Sequence, residues 1–283
     1  MSSVLAARGW QGFRSCRSSG HSGLRRAQAL AGRGCFLRCR STTGTTIDLR
    51  AATLQDEVGG GGFLSRVGTT FGGYTIANGA VIENANGGSG ADMLMGNAAN
   101  NTLNGGAGAD TMVGGIGNDI YVVENAGDVV TELAGQGSDI VATTISYNVP
   151  VNVEVLQLQG TGNINSTGTA AGETIQGNSE NNTIDGGGGI DVMQGFGGND
   201  TYAVDTSSDA VPEAAGGGQH AVYSSVAYII ATLPEIQTVF LLVNATVLRG
   251  DSSGHQLFGN EQVTGIDRRV ATVCRLGQGR ADY

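Results

Sequence analysis

Oxygen-bearing side chains recur at every ninth position in two stretches of the chain: Asp92, Asn101, Asp110 and Asp119, then Glu173, Asn182, Asp191 and Asp200. Glycines surround them, at Gly87, Gly88, Gly90, Gly105, Gly106, Gly108, Gly114, Gly115 and Gly117 in the first stretch, and at Gly186, Gly187, Gly189, Gly195 and Gly198 in the second. Carboxylates and uncovered peptide carbonyls are hard donors, and a site that gathers six or more of them suits calcium. No histidine or cysteine shares these positions, which argues against the softer transition metals and gives no reason to expect zinc. Between Arg66 and Arg249 there is no lysine or arginine, whereas eighteen carboxylates run from Glu83 to Glu235. Such a block repels itself unless a cation binds, and its sign argues against nucleic acid or an anionic membrane as partner.

The elements that must position these residues follow from the same period. Written in nines from Gly87, the chain reads GGSGADMLM, GNAANNTLN, GGAGADTMV and GGIGNDIYV; from Gly168 it reads GTAAGETIQ, GNSENNTID, GGGGIDVMQ and GFGGNDTYA. The sixth position carries the oxygen ligand. The eighth is Leu94, Leu103, Met112, Tyr121, Ile175, Ile184, Met193 and Tyr202, apolar or aromatic throughout. Glycine at the first, second and fourth positions permits a tight loop, and the last three residues put one side chain inward and its neighbours outward, as a short strand does. Loop, strand, loop, strand makes a coil of about 18 residues. Loops two rows apart then stack, so Asp92 should face Asp110, Asn101 face Asp119, Glu173 face Asp191, and Asn182 face Asp200. A flexible low-complexity linker is the alternative, but a linker has no need for a hydrophobe at every eighth position of two separated blocks. One inward side chain per nine residues is a thin core, so the metal is expected to be part of the fold, absent at cytosolic calcium and present outside the cell.

The two blocks belong to a unit about 81 residues long, because NDIYVVENAGDVVTELAGQGSDIVATTISY (118–147) aligns with NDTYAVDTSSDAVPEAAGGGQHAVYSSVAY (199–228). A third copy opens at GDSSGHQLFGN (250–260) and lapses into a sequence where arginines return. Residues 1–50 hold nine arginines and a single acid, Asp48. This Arg- and Ser-rich start has the form of an organelle transit peptide, but its foreign composition reads better as a misplaced start or non-native frame. Cys16, Cys35, Cys39 and Cys274 lie outside the acidic block at no zinc-type spacing and read as incidental thiols. No apolar run is long enough for a membrane span, and YIIATL (228–233) reads as a buried strand.

Residues 46–121, with IENANGGSGAD at the entry to the first row, resemble the C-terminal domain of serralysin-type metalloproteases, secreted bacterial enzymes with RTX (hemolysin-type) calcium-binding repeats. The 81-residue units, with YVVENAGDVVTE, are similar to tandem hemolysin-type repeats, and together the likeness covers roughly 46–260. The resemblance implies an all-β fold, a parallel β-roll with flanking β-sandwich-like strands, several structural calcium ions, extracellular localisation and export by a type I secretion apparatus. The family's catalytic zinc motif H-E-x-x-H is missing, since His21, His220 and His255 stand apart, so proteolysis is not carried over and no catalytic residue is assigned. The atypical C-terminus, where the family keeps its secretion signal, counts against export of this chain on its own.

The expected organisation is an atypical Arg-rich segment at 1–45, a serralysin-like lead-in at 46–86, repeat blocks at 87–122 and 168–203, inter-block β segments at 123–167 and 204–249, and a degenerate third block with its tail at 250–283. The function expected is a non-catalytic calcium-binding module of a secreted protein, supporting an attached catalytic or adhesive domain. A truncated or mis-started zinc metalloprotease and a repeat adhesin or surface scaffold are the alternatives. Tyr121 and Tyr202 read as packing residues and His220, in the place of Asp139, as a surface substitution. ENAGDVVTE and DTSSDAVPE read as turns between strands, with a peripheral ion at Asp128 or Asp209 as the alternative.

Overall fold

A computed structural model of the chain describes residues 42–50, 81–229, 235–242 and 256–259 in full. It also gives the backbone of the strands Ser15–Arg17, Phe36–Arg40, Arg66–Val67, Val247–Arg249, Gly265–Ile266 and Thr272–Arg275. The expectations for most of the Arg-rich start, the lead-in and the tail lie outside the described residues. Within them all regular structure is strand, and the chain divides into two compact units, Met1–Ala142 with Pro150–Val153, and Thr143–Val149 with Glu154–Tyr283.

In the first unit the rows alternate between two parallel sheets. One pairs Asn84–Gly88, Thr102–Gly106 and Ile120–Val123, with Ala85 beside Leu103 and Leu103 beside Tyr121. The other pairs Thr45–Asp48, Met93–Met95, Thr111–Val113 and Val129–Thr131, with Ile47, Leu94, Met112 and Val130 in register. Partners in the repeat block are 18 residues apart, the expected coil. The eighth-position side chains Leu94, Leu103, Met112 and Tyr121 are fully buried. Their flanking residues are only partly covered, because a three-residue strand between glycine loops can turn just one side chain inward.

The second unit repeats this construction. Leu156, Ile175 and Met193 stack in one sheet, and Ser166, Ile184, Tyr202 and Val222 in the other. The second stack continues through Val239 to Leu257, which opens the third copy. Tyr223, Phe240 and Phe258 form an aromatic ladder beside it, with ring centroids 4.6 and 4.7 Å apart. In YIIATL, Tyr228–Ile229 is a strand with Tyr228 buried and Ile229 exposed; the rest lies outside the described residues.

The segments that follow each block, expected as turns, carry the roll onward. Val129–Thr131 is a strand paired in parallel with Thr111–Val113, and Asp128 and Glu132 are buried beside it. The nine-residue frame explains this. VENAGDVVT (123–131) keeps Asp128 in the sixth place and Val130 in the eighth; two inserted residues follow, and AGQGSDIVA (134–142) again has Gly135, Gly137, Asp139 and Val141 in phase. In the second unit VDTSSDAVP (204–212) and AGGGQHAVY (215–223) do the same around Asp209, Val211, His220 and Val222. The inserts are Glu132–Leu133 and Glu213–Ala214.

Candidate metal centres

The sixth-position residues form two ladders in each unit, one along each column of loops. On one side of the first unit the amide of Thr45 donates to Asp92 Oδ1 (2.5 Å), that of Asp92 to Asp110 Oδ1 (2.7 Å) and that of Asp110 to Asp128 Oδ1 (3.0 Å). On the other, Asn101 donates to Asp119 Oδ1 (2.6 Å) and Asp119 to Asp139 Oδ1 (2.8 Å). In the second unit Glu173 donates to Asp191 Oδ1 and Asp191 to Asp209 Oδ1, while Asn182 donates to Asp200 Oδ1 and Asp200 to His220 Nδ1 (3.3 Å). The four facing pairs read from the repeat are therefore neighbours, and all eight residues are buried. The ladders also include Asp128 and Asp209, one row beyond each block in the nine-residue frame, and Asp139 and His220, which the two-residue inserts move out of it.

What a row's own loop offers its sixth side chain divides the rows. In the first two rows of each block the amide of the second residue donates to the row's own sixth residue: Gly88 to Asp92, Asn97 to Asn101, Thr169 to Glu173, and Asn178 to Asn182. In the next two rows Oδ2 of Asp110, Asp119, Asp191 and Asp200 is buried without a hydrogen-bond partner. Here the second residue has turned into the left-handed region, at Gly106 (φ 86°), Gly115 (97°) and Gly187 (77°). Phe196 is forced into the same conformation (φ 70°) where the other rows keep glycine. The first glycine is needed for closeness: a Cβ on Gly105 would collide with Asp110 Oδ2.

Burial without a cation pushes the carboxyls up, to about 6 for Asp110, about 7 for Asp119 and about 6 for Asp191. Neighbouring carboxylates, Asp128 and Asp92, Asp139 and Glu132, and Asp209 and Glu173 respectively, add to the effect, while the amides of Asp92, Asn101 and Glu173 oppose it. Asn101 and Asn182 behave differently. Their Nδ2 groups donate to peptide carbonyls of the preceding coil, Asn101 to Glu83 O (3.2 Å) and Asn182 to Ile164 O (2.6 Å). A neutral amide thus supplies its own donor where a carboxylate would face a carbonyl.

Each fourth row ends in a cluster. In the first unit one oxygen each of Asp119, Glu132 and Asp139 lie within 4.8 Å of one another, and Tyr121 donates its hydroxyl to Glu132. In the second unit Asp200, Glu213 and His220 are gathered in the same way, and Tyr202 donates to Glu213. The two tyrosines thus pack and also position a carboxylate. Burial, then the bond to that carboxylate, raises both phenol pKa values, so they stay donors. His220 is 1% exposed, which overturns its reading as a surface substitution. Burial opposes its protonation, but Asp200 and Glu213 outweigh that and raise its pKa. The clusters escape a strict nine-residue frame because the two-residue insert shifts it; the 81-residue offset between Asp139 and His220 was the available signal.

These residues fit a hard divalent cation: buried, unpartnered carboxylate oxygens in a segment without lysine or arginine are what such an ion would neutralise. No helix among the described residues is long and apolar enough to cross a membrane. The family model of the RTX calcium-binding nonapeptide repeat (4 copies) matches residues 86–121 and 167–209, so both blocks carry RTX repeats. The second match runs on through Asp209, into the row VDTSSDAVP (204–212). No curated protein matches the chain.

Proposed function

We propose that this RTX-repeat chain is a non-catalytic module of a secreted bacterial protein that folds when it meets extracellular calcium and so stabilises or presents an attached domain. The observation that carries this reading is the set of three buried carboxylate oxygens, on Asp110, Asp119 and Asp191, that have no hydrogen-bond partner. Calcium supplies the missing positive charge at these points. The chain's own part is to hold the oxygens in place: the ladder amides fix Oδ1 of each aspartate and leave Oδ2 unpartnered, and the glycine loops let chain and carboxylate approach. Asp92 and Glu173, one coil back, contribute carboxylates to the same columns. Asn101 and Asn182 close theirs without an ion. Where calcium is submicromolar these oxygens repel one another and the thin core does not hold the roll together.

The test is a far-UV circular dichroism titration of the full chain, with calcium added to chelated protein and magnesium as control. A cooperative gain of β signal at millimolar calcium, absent with magnesium, is expected; a fully folded repeat region in chelator would refute the reading. A scaffold of many 81-residue units is the second reading, favoured by the parallel stack that runs from Tyr202 through Val239 into Leu257 of the third copy.

A further inference from the structure

The two end clusters are built from corresponding residues 81 positions apart, Asp119 and Asp200, Glu132 and Glu213, Tyr121 and Tyr202, and they differ in the last member, Asp139 against His220. We infer that Asp200, Glu213 and His220 form a site for a borderline divalent transition metal of the zinc or cobalt class, distinct in ligand chemistry from the all-oxygen calcium positions. An imidazole nitrogen with two carboxylates is a donor set that zinc, cobalt and nickel accept, whereas calcium takes oxygen almost throughout.

The geometry is that of a prepared site. All three side chains are at least 99% buried, with His220 Nδ1 3.4 Å from Asp200 Oδ2 and Nε2 3.9 Å from Glu213 Oε2. Ligand atoms on one tetrahedral zinc with bonds of about 2.0–2.2 Å are roughly 3.3–3.6 Å apart; one ligand atom from each side chain lies within 4.8 Å of the others, and the Nε2–Oε2 separation of 3.9 Å shortens by a few tenths of an ångström on binding. Three atoms of the cluster, Asp200 Oδ2, Glu213 Oε2 and His220 Nε2, have no hydrogen-bond partner. Their other ends are held. Asp200 Oδ1 accepts the Asn182 amide (2.7 Å), and Glu213 Oε1 accepts the Tyr202 hydroxyl and the Gly195 amide (2.6 Å). The backbone amide of His220 donates to Gln237 Oε1 (2.6 Å). Outer bonds of this kind fix the orientation of metal ligands. The loop at Gly217 packs closely over the imidazole: a Cβ there would lie 3.2 Å from Nε2 and collide with Phe196 O.

Cobalt is the probe, because its visible absorption reports nitrogen–oxygen ligation directly and remains readable whether or not calcium drives folding. The full chain is titrated with cobalt in excess calcium and again in calcium-free buffer, with zinc competition read by calorimetry. One equivalent of cobalt is expected, displaced by zinc and not by calcium. His220→Asp keeps a ladder acceptor and should keep the fold, checked by circular dichroism in calcium, while the cobalt band disappears. Asp139→His should create a second cobalt equivalent in the first unit, and Tyr202→Phe should weaken the native one by roughly tenfold or more. No cobalt band in the native chain overturns the assignment. So does a band unchanged in His220→Asp, which would place the ion at His21, His255 or a cysteine.

Discussion

The first two rows of each block and the two that follow have the same length, the same inward hydrophobe and the same ladder amides, yet they dispose of their sixth side chain in opposite ways. Rows opening at Gly87, Gly96, Gly168 and Gly177 fold an amide of their own back onto it. Rows opening at Gly105, Gly114, Gly186 and Gly195 leave Oδ2 buried and unpartnered. The early rows are thus complete as polypeptide, and the later rows keep a bare oxygen for the cation proposed above. A left-handed second residue separates the two kinds, and asparagine in place of aspartate marks two of the self-sufficient rows.

Removing calcium tests this division most severely. Extracellular calcium modules bind with dissociation constants of about 0.1–1 mM, so at 1–2 mM calcium each site contributes on the order of 1–2 kcal/mol, and three such sites about 3–6 kcal/mol. Thermal melts in 2 mM calcium and in chelator should therefore differ by a large part of the stability of a small domain. Equal melting temperatures would mean that the unpartnered oxygens need no ion.

Exchanging the two kinds of row should have a smaller effect with a definite sign. Asp110→Asn removes one site, costing about 1–2 kcal/mol in calcium, yet should stabilise the chelated protein by removing a buried charge. Asn101→Asp should do the reverse in chelator, costing about 1–3 kcal/mol because Glu83 O, which keeps the Thr102 amide, loses its side-chain donor and a carboxylate takes that place. Paired melts with and without calcium measure both. Shifts of the same sign in the two buffers would erase the distinction between the rows.

How much of this could be read in advance depended on the period. Leu94, Met112, Ile175 and Met193 were marked as core by phase alone and are fully buried, and the pairing of Asp92 with Asp110 followed from an 18-residue coil. Glu132, Glu213 and His220 were hidden because the inserts Glu132–Leu133 and Glu213–Ala214 break the phase, leaving Asp139 and His220 in a frame two residues late. The hydroxyls of Tyr121 and Tyr202 were also illegible, since an aromatic at an inward position satisfies the hydrophobic pattern whether or not its oxygen has work to do. Phase shows which side chain points inward; it does not show which oxygen is left without a partner.

Acid should partly stand in for calcium. Asp110, Asp119 and Asp191 have carboxyl groups raised by burial to about 6, 7 and 6. The unfolded value is near 3.9, so the folded chain binds more protons. Their contribution to metal-free stability is then fully present below about pH 4 and lost as pH rises through 6 to 7. Chelated protein should gain β signal between pH 8 and pH 5, while calcium affinity falls over the same interval because protons compete for the ligands. Circular dichroism at fixed chelator and varied pH reads the first effect, and a metal-free fold that weakens on acidification from pH 8 to 5 would contradict the assignment of these three groups.

The smallest expected effect concerns the one late row that reached its conformation without glycine. Phe196 has φ 70° at the second position of the row opening at Gly195, and is 40% exposed, so its ring gains little from burial there. A left-handed residue other than glycine costs roughly 1–2 kcal/mol, and glycine returns about 0.5–1 kcal/mol of that as extra freedom in the unfolded chain. Phe196→Gly should therefore stabilise the calcium-bound protein by about 0.5–1 kcal/mol and leave calcium stoichiometry unchanged, as followed by thermal melting and a calcium titration. The sign distinguishes two origins of the loop shape. Stabilisation means that the conformation is imposed by the row and Phe196 resists it; destabilisation means that the ring holds the loop, and that this row differs from its three counterparts in what shapes its carboxylate.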